Sequence, residues 1–143
     1  MFGGMPRGRS PPVGAALNTI EATETPAIKL LVHECINLAL IDTGASRTLV
    51  RSKWITGPTT SIPAMQLRLA AGNQTIRTDQ QGTLDARTTT GVHFQCPAIP
   101  VEDLQADIIL GVSWLIEQQD VIDLTRGCIH IGREQRQTIH FCR

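Results

Sequence analysis

An all-β domain with one short helix near its C-terminal end is the fold class the sequence predicts. Three observations carry it. Apolar residues come in short runs or in strict alternation, as in Met65-Gln66-Leu67-Arg68-Leu69, the period of a strand with one face buried. Clusters of Gly, Pro, Asn, Ser and Thr separate these runs at strand-length intervals. Helical spacing occurs in one place, Val112 to Gln118, where Val112, Leu115 and Ile116 fall on one side.

Taken in order, residues 1–26 are rich in Gly, Pro, Arg, Ser and Thr without a sustained period, and read as a flexible leader or linker before a domain spanning 27–143. Arg7 and Arg9 there could touch RNA, and the linker reading is preferred over a nucleic-acid-binding leader. Ala27 to Val32 and Ile36 to Ile41 are apolar strands, joined by a tight connection at His33-Glu34-Cys35. Thr48-Leu49-Val50 resumes strand character. Ser52-Lys53-Trp54-Ile55 predicts a short turn or helix before a break at Gly57-Pro58. The alternating stretch at Met65 and its continuation at Thr75-Ile76-Arg77-Thr78 flank a small hairpin tip, Ala70-Ala71-Gly72-Asn73-Gln74. Gly82 to Thr90 and Val92 to Ile99 read as a further antiparallel pair. Asp107 to Gly111 is a second apolar strand running into glycine, with the helix after it. Val121 to Leu124, Cys128 to Ile131 and Thr138 to Phe141 close the chain as short strands.

The bulk composition narrows the function classes. At 143 residues the chain fits one domain with a real core. Aromatic residues make up only 3% and Tyr is absent, so aliphatic side chains must fill that core, and stacking platforms for single-stranded nucleic acid are missing. Thirteen basic and thirteen acidic residues cancel, which leaves no global field toward phosphate or membrane and tolerates self-association. Cys35, Cys96, Cys128 and Cys142 show no CxxC spacing, and with His33, His93, His130 and His140 they complete no zinc pattern, so no metal or cofactor is expected. Reduced cytosolic thiols are the preferred reading, with proximity of Cys35 and Cys96 left open. No signal peptide, membrane-length apolar run or myristoylation signal is present, so a soluble cytoplasmic protein is expected.

The chemistry concentrates at Leu40-Ile41-Asp42-Thr43-Gly44-Ala45-Ser46, which sets one carboxylate between an apolar strand and a small glycine-containing turn. A solvated loop aspartate has no need of that approach. A faint internal echo supports it: one apolar strand runs into Asp42-Thr43-Gly44 and another into Leu110-Gly111 before the helix.

Asp42-Thr43-Gly44-Ala45-Ser46, the Leu67-Arg68-Leu69-Ala70-Ala71-Gly72-Asn73 hairpin and Asp107-Ile108-Ile109-Leu110-Gly111-Val112-Ser113-Trp114-Leu115, in that order, resemble a retropepsin-like aspartic protease. The likeness is closest to the proteases of gypsy-type LTR retrotransposons, and it covers about Ala27 to Phe141. It implies a retropepsin-like half-barrel acting as a two-fold homodimer, without cofactor, on polypeptide and in particular on the cleavage sites of its own Gag-Pol-like polyprotein, in the cytoplasm or within virus-like particles.

Asp42, Thr43 and Gly44 are the implied catalytic turn, Ala45, Ser46, Arg47 and Ile109 the substrate-binding positions, and Ala70, Ala71, Gly72, Asn73 and Gln74 the flap. Ser46 and Arg47 stand where many retroviral proteases carry acidic residues. No second Asp-Thr-Gly or Asp-Ser-Gly occurs, so an aspartate pair requires two copies of the chain. A catalytically silent dimerisation or peptide-binding module is the alternative reading.

Overall fold

In the computed structural model, which describes residues 25–68, 75–132 and 136–142, the described residues are mostly strand. They are β1 (Ala27–Val32), β2 (Cys35–Ile41), β3 (Leu49–Arg51), β4 (Thr56–Arg68), β5 (Thr75–Thr88), β6 (His93–Val101), β7 (Ile108–Leu110), β8 (Val121–Asp123), β9 (Cys128–Ile131) and β10 (Gln137–His140). One helix, α1 (Val112–Glu117), follows β7, and a 3-10 turn at Ser52–Trp54 follows β3.

Seven strands form one sheet in the order β1-β2-β7-β3-β6-β5-β4, and an extra pairing of β1 with β5 curls it toward a barrel. β7 lies between β2 and β3, parallel to the first and antiparallel to the second. This insertion joins the two strand-into-glycine segments side by side, with Ile41 opposite Leu110. A second sheet, β10-β9-β8, is antiparallel throughout.

The main core cluster draws on both sheets and is aliphatic apart from Phe94, Cys96 and Trp114, as the composition requires. It includes Ile28, Leu30 and Val32 of β1, Ile108 and Leu110 of β7, and Ile129 and Ile131 of β9. Each such side chain contributes about 1.5–3 kcal/mol on leaving water. A smaller cluster of Leu49, Ile99, Val101 and Leu104 is covered by Ile62, Leu67, Ile76 and Ile109. Cys96 is buried on β6, and burial, reinforced by the charge of Glu117, pushes its thiol up to about 12. With Cys35 exposed, the two do not form a pair, and all four cysteines are free.

Three local expectations are corrected. The β1–β2 connection is the two residues His33-Glu34, with Cys35 already paired to Val32. Both turn residues sit at positive φ, 50° and 65°, where a side chain costs about 1 kcal/mol or more. Glu34→Gly is therefore expected to stabilise the domain by about 1 kcal/mol, read from the urea midpoint.

Gly57-Pro58 does not break the chain either, because β4 runs through both and through Pro63. β4 is the edge of the sheet, where a missing N–H is tolerated, and two register shifts against β5 absorb the irregularity.

Finally, α1 buries only part of the face its periodicity suggests: Leu115 packs against the main core, but Ile116 does not. Trp114 is 1% exposed whereas Ile116 is 70% exposed. Six residues are too few for periodicity to orient a helix, and the largest apolar side chain decides. Trp114 packs on Phe94 with ring centroids 5.2 Å apart and planes tilted by 51°.

Just after α1, Asp120 has both carboxylate oxygens buried without a hydrogen-bond partner among the described residues, although the residue as a whole is only half-buried. Burial raises its carboxyl to about 7, with the nearby Arg136 opposing the shift. An acid whose folded value is raised loses stability as pH climbs from its unfolded value of 3.8 toward 7. Solvent reaching the half-buried residue trims the effect to about 1–2 kcal/mol. Asp120→Asn should remove this slope between pH 4 and 7 and stabilise the domain at pH 8, as measured by denaturant unfolding at both ends.

Candidate active site

The apolar strand β2 ends at Ile41, 3% exposed, and delivers Asp42 half-buried at its tip. The Asp42 N–H donates to the Leu110 carbonyl at 3.0 Å, extending the β2–β7 ladder by one step. The chain then turns sharply. The Ala45 N–H donates to the Asp42 carbonyl at 3.1 Å, and the Gly44 N–H donates to Asp42 Oδ1 at 2.8 Å. One carboxylate oxygen is thus held by the turn's own backbone, which fixes the side chain's orientation before any ligand arrives.

Beyond the turn, the segment is fastened to the junction of β7 and α1. The Val112 N–H donates to the Ala45 carbonyl at 2.8 Å, and the Ser113 N–H to the Ser46 carbonyl at 3.3 Å. The Gly111 N–H donates to Thr48 Oγ1 at 3.2 Å. Thr48 is 1% exposed, and its carbonyl accepts from Ile99 N–H at 2.9 Å. A buried hydroxyl needs such a partner, since leaving it unmade costs about 1–3 kcal/mol. The approach is close enough to require glycine at 111, because a Cβ there would lie 2.3 Å from the Arg47 carbonyl oxygen and 2.7 Å from that of Ala45.

Of the residues singled out from sequence, Asp42, Thr43, Gly44, Ala45, Ser46 and Arg47 share this single turn. Thr43, Gly44, Ser46 and Arg47 are exposed, and Ala45 is half-buried. Ile109 is half-buried on β7, paired with Leu40 of β2 on one side and Leu49 of β3 on the other, one residue before the carbonyl that holds Asp42. Ala70, Ala71, Gly72, Asn73 and Gln74 lie outside the described residues. The strands on either side of them are paired up to Arg68 and Thr75. An open cavity of about 170 Å³ lies beside the turn, lined by Arg47, Thr48, Gln81, Ala98, Ser113 and Glu117 among others.

Two supporting residues escaped the sequence reading. Thr48 is one, a lone hydroxyl just ahead of the apolar Leu49-Val50 of β3. Arg51 is the other. Its Nε donates to the Leu104 carbonyl at 2.8 Å and Nη2 to that of Gln105 at 3.0 Å, while Nη1 lies 3.4 Å from Asp107 Oδ1. The guanidinium thereby braces the loop that leads into β7, and no local motif announces it.

Comparison with known proteins agrees with this geometry. The model of the retroviral aspartyl protease family matches residues 8–137. No curated protein sequence matches. Among solved structures, the retroviral protease-like domain of Ddi1 from Leishmania major superposes with a TM-score of 0.57 at 14% identity, covering 83% of this chain and 92% of that one. The foamy viral protease-reverse transcriptase in complex with an RNA/DNA hybrid gives a TM-score of 0.49 at 14% identity, over 66% of this chain and 12% of that one. Among the described residues no helix is long and apolar enough to cross a membrane. With the strand order, the fastened Asp42 turn and a family match spanning most of its length, this chain belongs to the retroviral aspartyl protease family.

Proposed function

We propose that the chain is an aspartic endopeptidase whose active site forms between two copies, each supplying Asp42. The observation that carries this reading is the Asp42 turn itself, a carboxylate at the end of a buried strand whose orientation is fixed by Leu110 and Gly44. Two carboxyl groups held in contact cannot both ionise, so the pair keeps one proton; aspartic proteases are the standard instance of this effect. The ionised Asp42 takes a proton from a water molecule lying between the two. The resulting hydroxide attacks the peptide carbonyl carbon while the protonated Asp42 donates to the carbonyl oxygen. Collapse of the tetrahedral intermediate returns a proton to the leaving amide nitrogen, and the C–N bond breaks.

In this reading Thr43 links the two turns across the axis and Gly44 admits the substrate backbone. Ala45, Ser46, Arg47 and Ile109 border the substrate, and Ala70 to Gln74 close over it as a flap carried by the β4–β5 ribbon. The substrate is an extended polypeptide, with the parent polyprotein as the natural candidate, and residues 1–26 are a leader or linker outside the catalytic domain. Specific activity is expected to rise with chain concentration in step with the dimer fraction from sedimentation. Full activity of a monomeric species would overturn the proposal.

A further inference from the structure

The three-stranded sheet β10-β9-β8 carries a group of donors that the peptidase reading does not use. Asp123 ends β8, and Cys128 and His130 sit two apart on β9. Antiparallel pairing sets Asp123 opposite Cys128, so all three side chains leave the same face. The opposite face, with Ile129, Ile131 and Ile139, is the one packed into the core. Cys128 is 2% exposed and lies outside both core clusters.

We infer that Asp123, Cys128 and His130 form a binding site for a borderline-soft divalent cation, Zn²⁺ by its donor set. One ligand atom from each lies within 4.8 Å of the others. Cys128 Sγ is 4.0 Å from His130 Nε2. Bonds of about 2.0–2.3 Å in a tetrahedron place donors roughly 3.5 Å apart, so side-chain rotations of modest size complete the site. The imidazole is already oriented for it. His130 Nδ1 lies 2.9 Å from Thr138 Oγ1, and an Nδ1–H donated there leaves the Nε2 lone pair facing the thiol. Asp123 Oδ1 accepts from the Arg126 N–H at 3.0 Å, which fixes the carboxylate and leaves Oδ2, 3.9 Å from the exposed Arg126 Nε, to bind metal. A thiolate and an imidazole select zinc over calcium or magnesium. Binding displaces the Cys128 thiol proton to solvent, and water fills the fourth position. No CxxC-type spacing reveals the group, because strand pairing brings Asp123 to the other two.

The test uses the full chain carrying Asp42→Asn, so that peptidase activity plays no part. After chelator treatment, Co²⁺ is added as a spectroscopic stand-in. One equivalent should bind with a thiolate-to-cobalt charge-transfer band, be displaced by Zn²⁺, and raise Tm. Cys128→Ser should abolish the band and Cys35→Ser should leave it. His130→Gln, at a more exposed position, should weaken binding at least tenfold. Absence of the band in the parent chain, or its survival in Cys128→Ser, would overturn the inference.

Discussion

Asp42→Asn is expected to abolish peptide-bond cleavage while leaving the fold in place. The substitution is nearly isosteric, and the new amide oxygen can still accept the Gly44 N–H that the carboxylate accepts at 2.8 Å. The backbone bond from Asp42 to Leu110 is untouched. What is lost is proton traffic, since an amide can neither take a proton from water nor give one to a carbonyl. Because each copy contributes the same residue, one mutation removes the base and the acid together. Each proton transfer is worth about 10²–10⁴ in rate, so turnover should fall by roughly 10⁴-fold or more. Thermal stability should stay within about 0.5 kcal/mol, the range of substitutions that disturb no buried feature. Turnover above about one per cent of the parent rate, from a chain that still dimerises, would exclude Asp42 from the chemistry.

Gly111→Ala should be strongly destabilising, the tightest of the glycine sites at positions 44, 57, 82, 91 and 111. Its Cβ would meet three backbone atoms, Arg47 O at 2.3 Å, Arg47 C at 2.6 Å and Ala45 O at 2.7 Å. None of these is the end of a flexible side chain. Ala45 and Thr48 are themselves tied to Val112 and Gly111, so relief requires breaking bonds that position the turn. Overpacking of this kind costs about 3 kcal/mol or more, against a total stability on the order of 10 kcal/mol. Tm should drop by roughly 10 °C, with activity lost in whatever fraction still folds. Gly91→Ala is the control. It sits at φ +97° with nothing within 4 Å of the added carbon, so only the backbone conformation is strained, at about 1 kcal/mol. Equal midpoints for the two variants in urea would refute the close-approach argument.

Much of this fold is legible in the sequence because the core strands are apolar runs that end at turn residues. β1, β2 and β7 read that way, and so does the Asp42 turn. The errors arise where tertiary position overrides a local signal. Gly57 and Pro58 continue a strand because that strand is a sheet edge, and Ile116 faces solvent because Trp114 has the better docking site on Phe94. The omissions are long-range pairs. Thr48 meets Gly111 across 63 positions and Arg51 meets Leu104 across 53, and no period or motif of a single chain encodes such a meeting. The same holds for Asp123 beside Cys128 and His130, whose proximity depends on the register of β8 against β9.

The fastening of the Asp42 turn to the β7–α1 junction also decides how amide hydrogens should exchange with solvent. The amides of Asp42, Gly111, Val112 and Ser113 are all engaged there, between strands whose side chains lie in the main core. Freeing the Asp42 amide requires separating β2 from β7, and freeing the other three requires pulling the 45–48 segment off the β7–α1 junction, whose flanking strands are core. Their exchange should follow global unfolding, well below the rate at an exposed hairpin tip. The lifetime of the carboxylate's geometry is then set by the stability of the whole barrel, and a core substitution far from Asp42 shortens it as surely as one beside it.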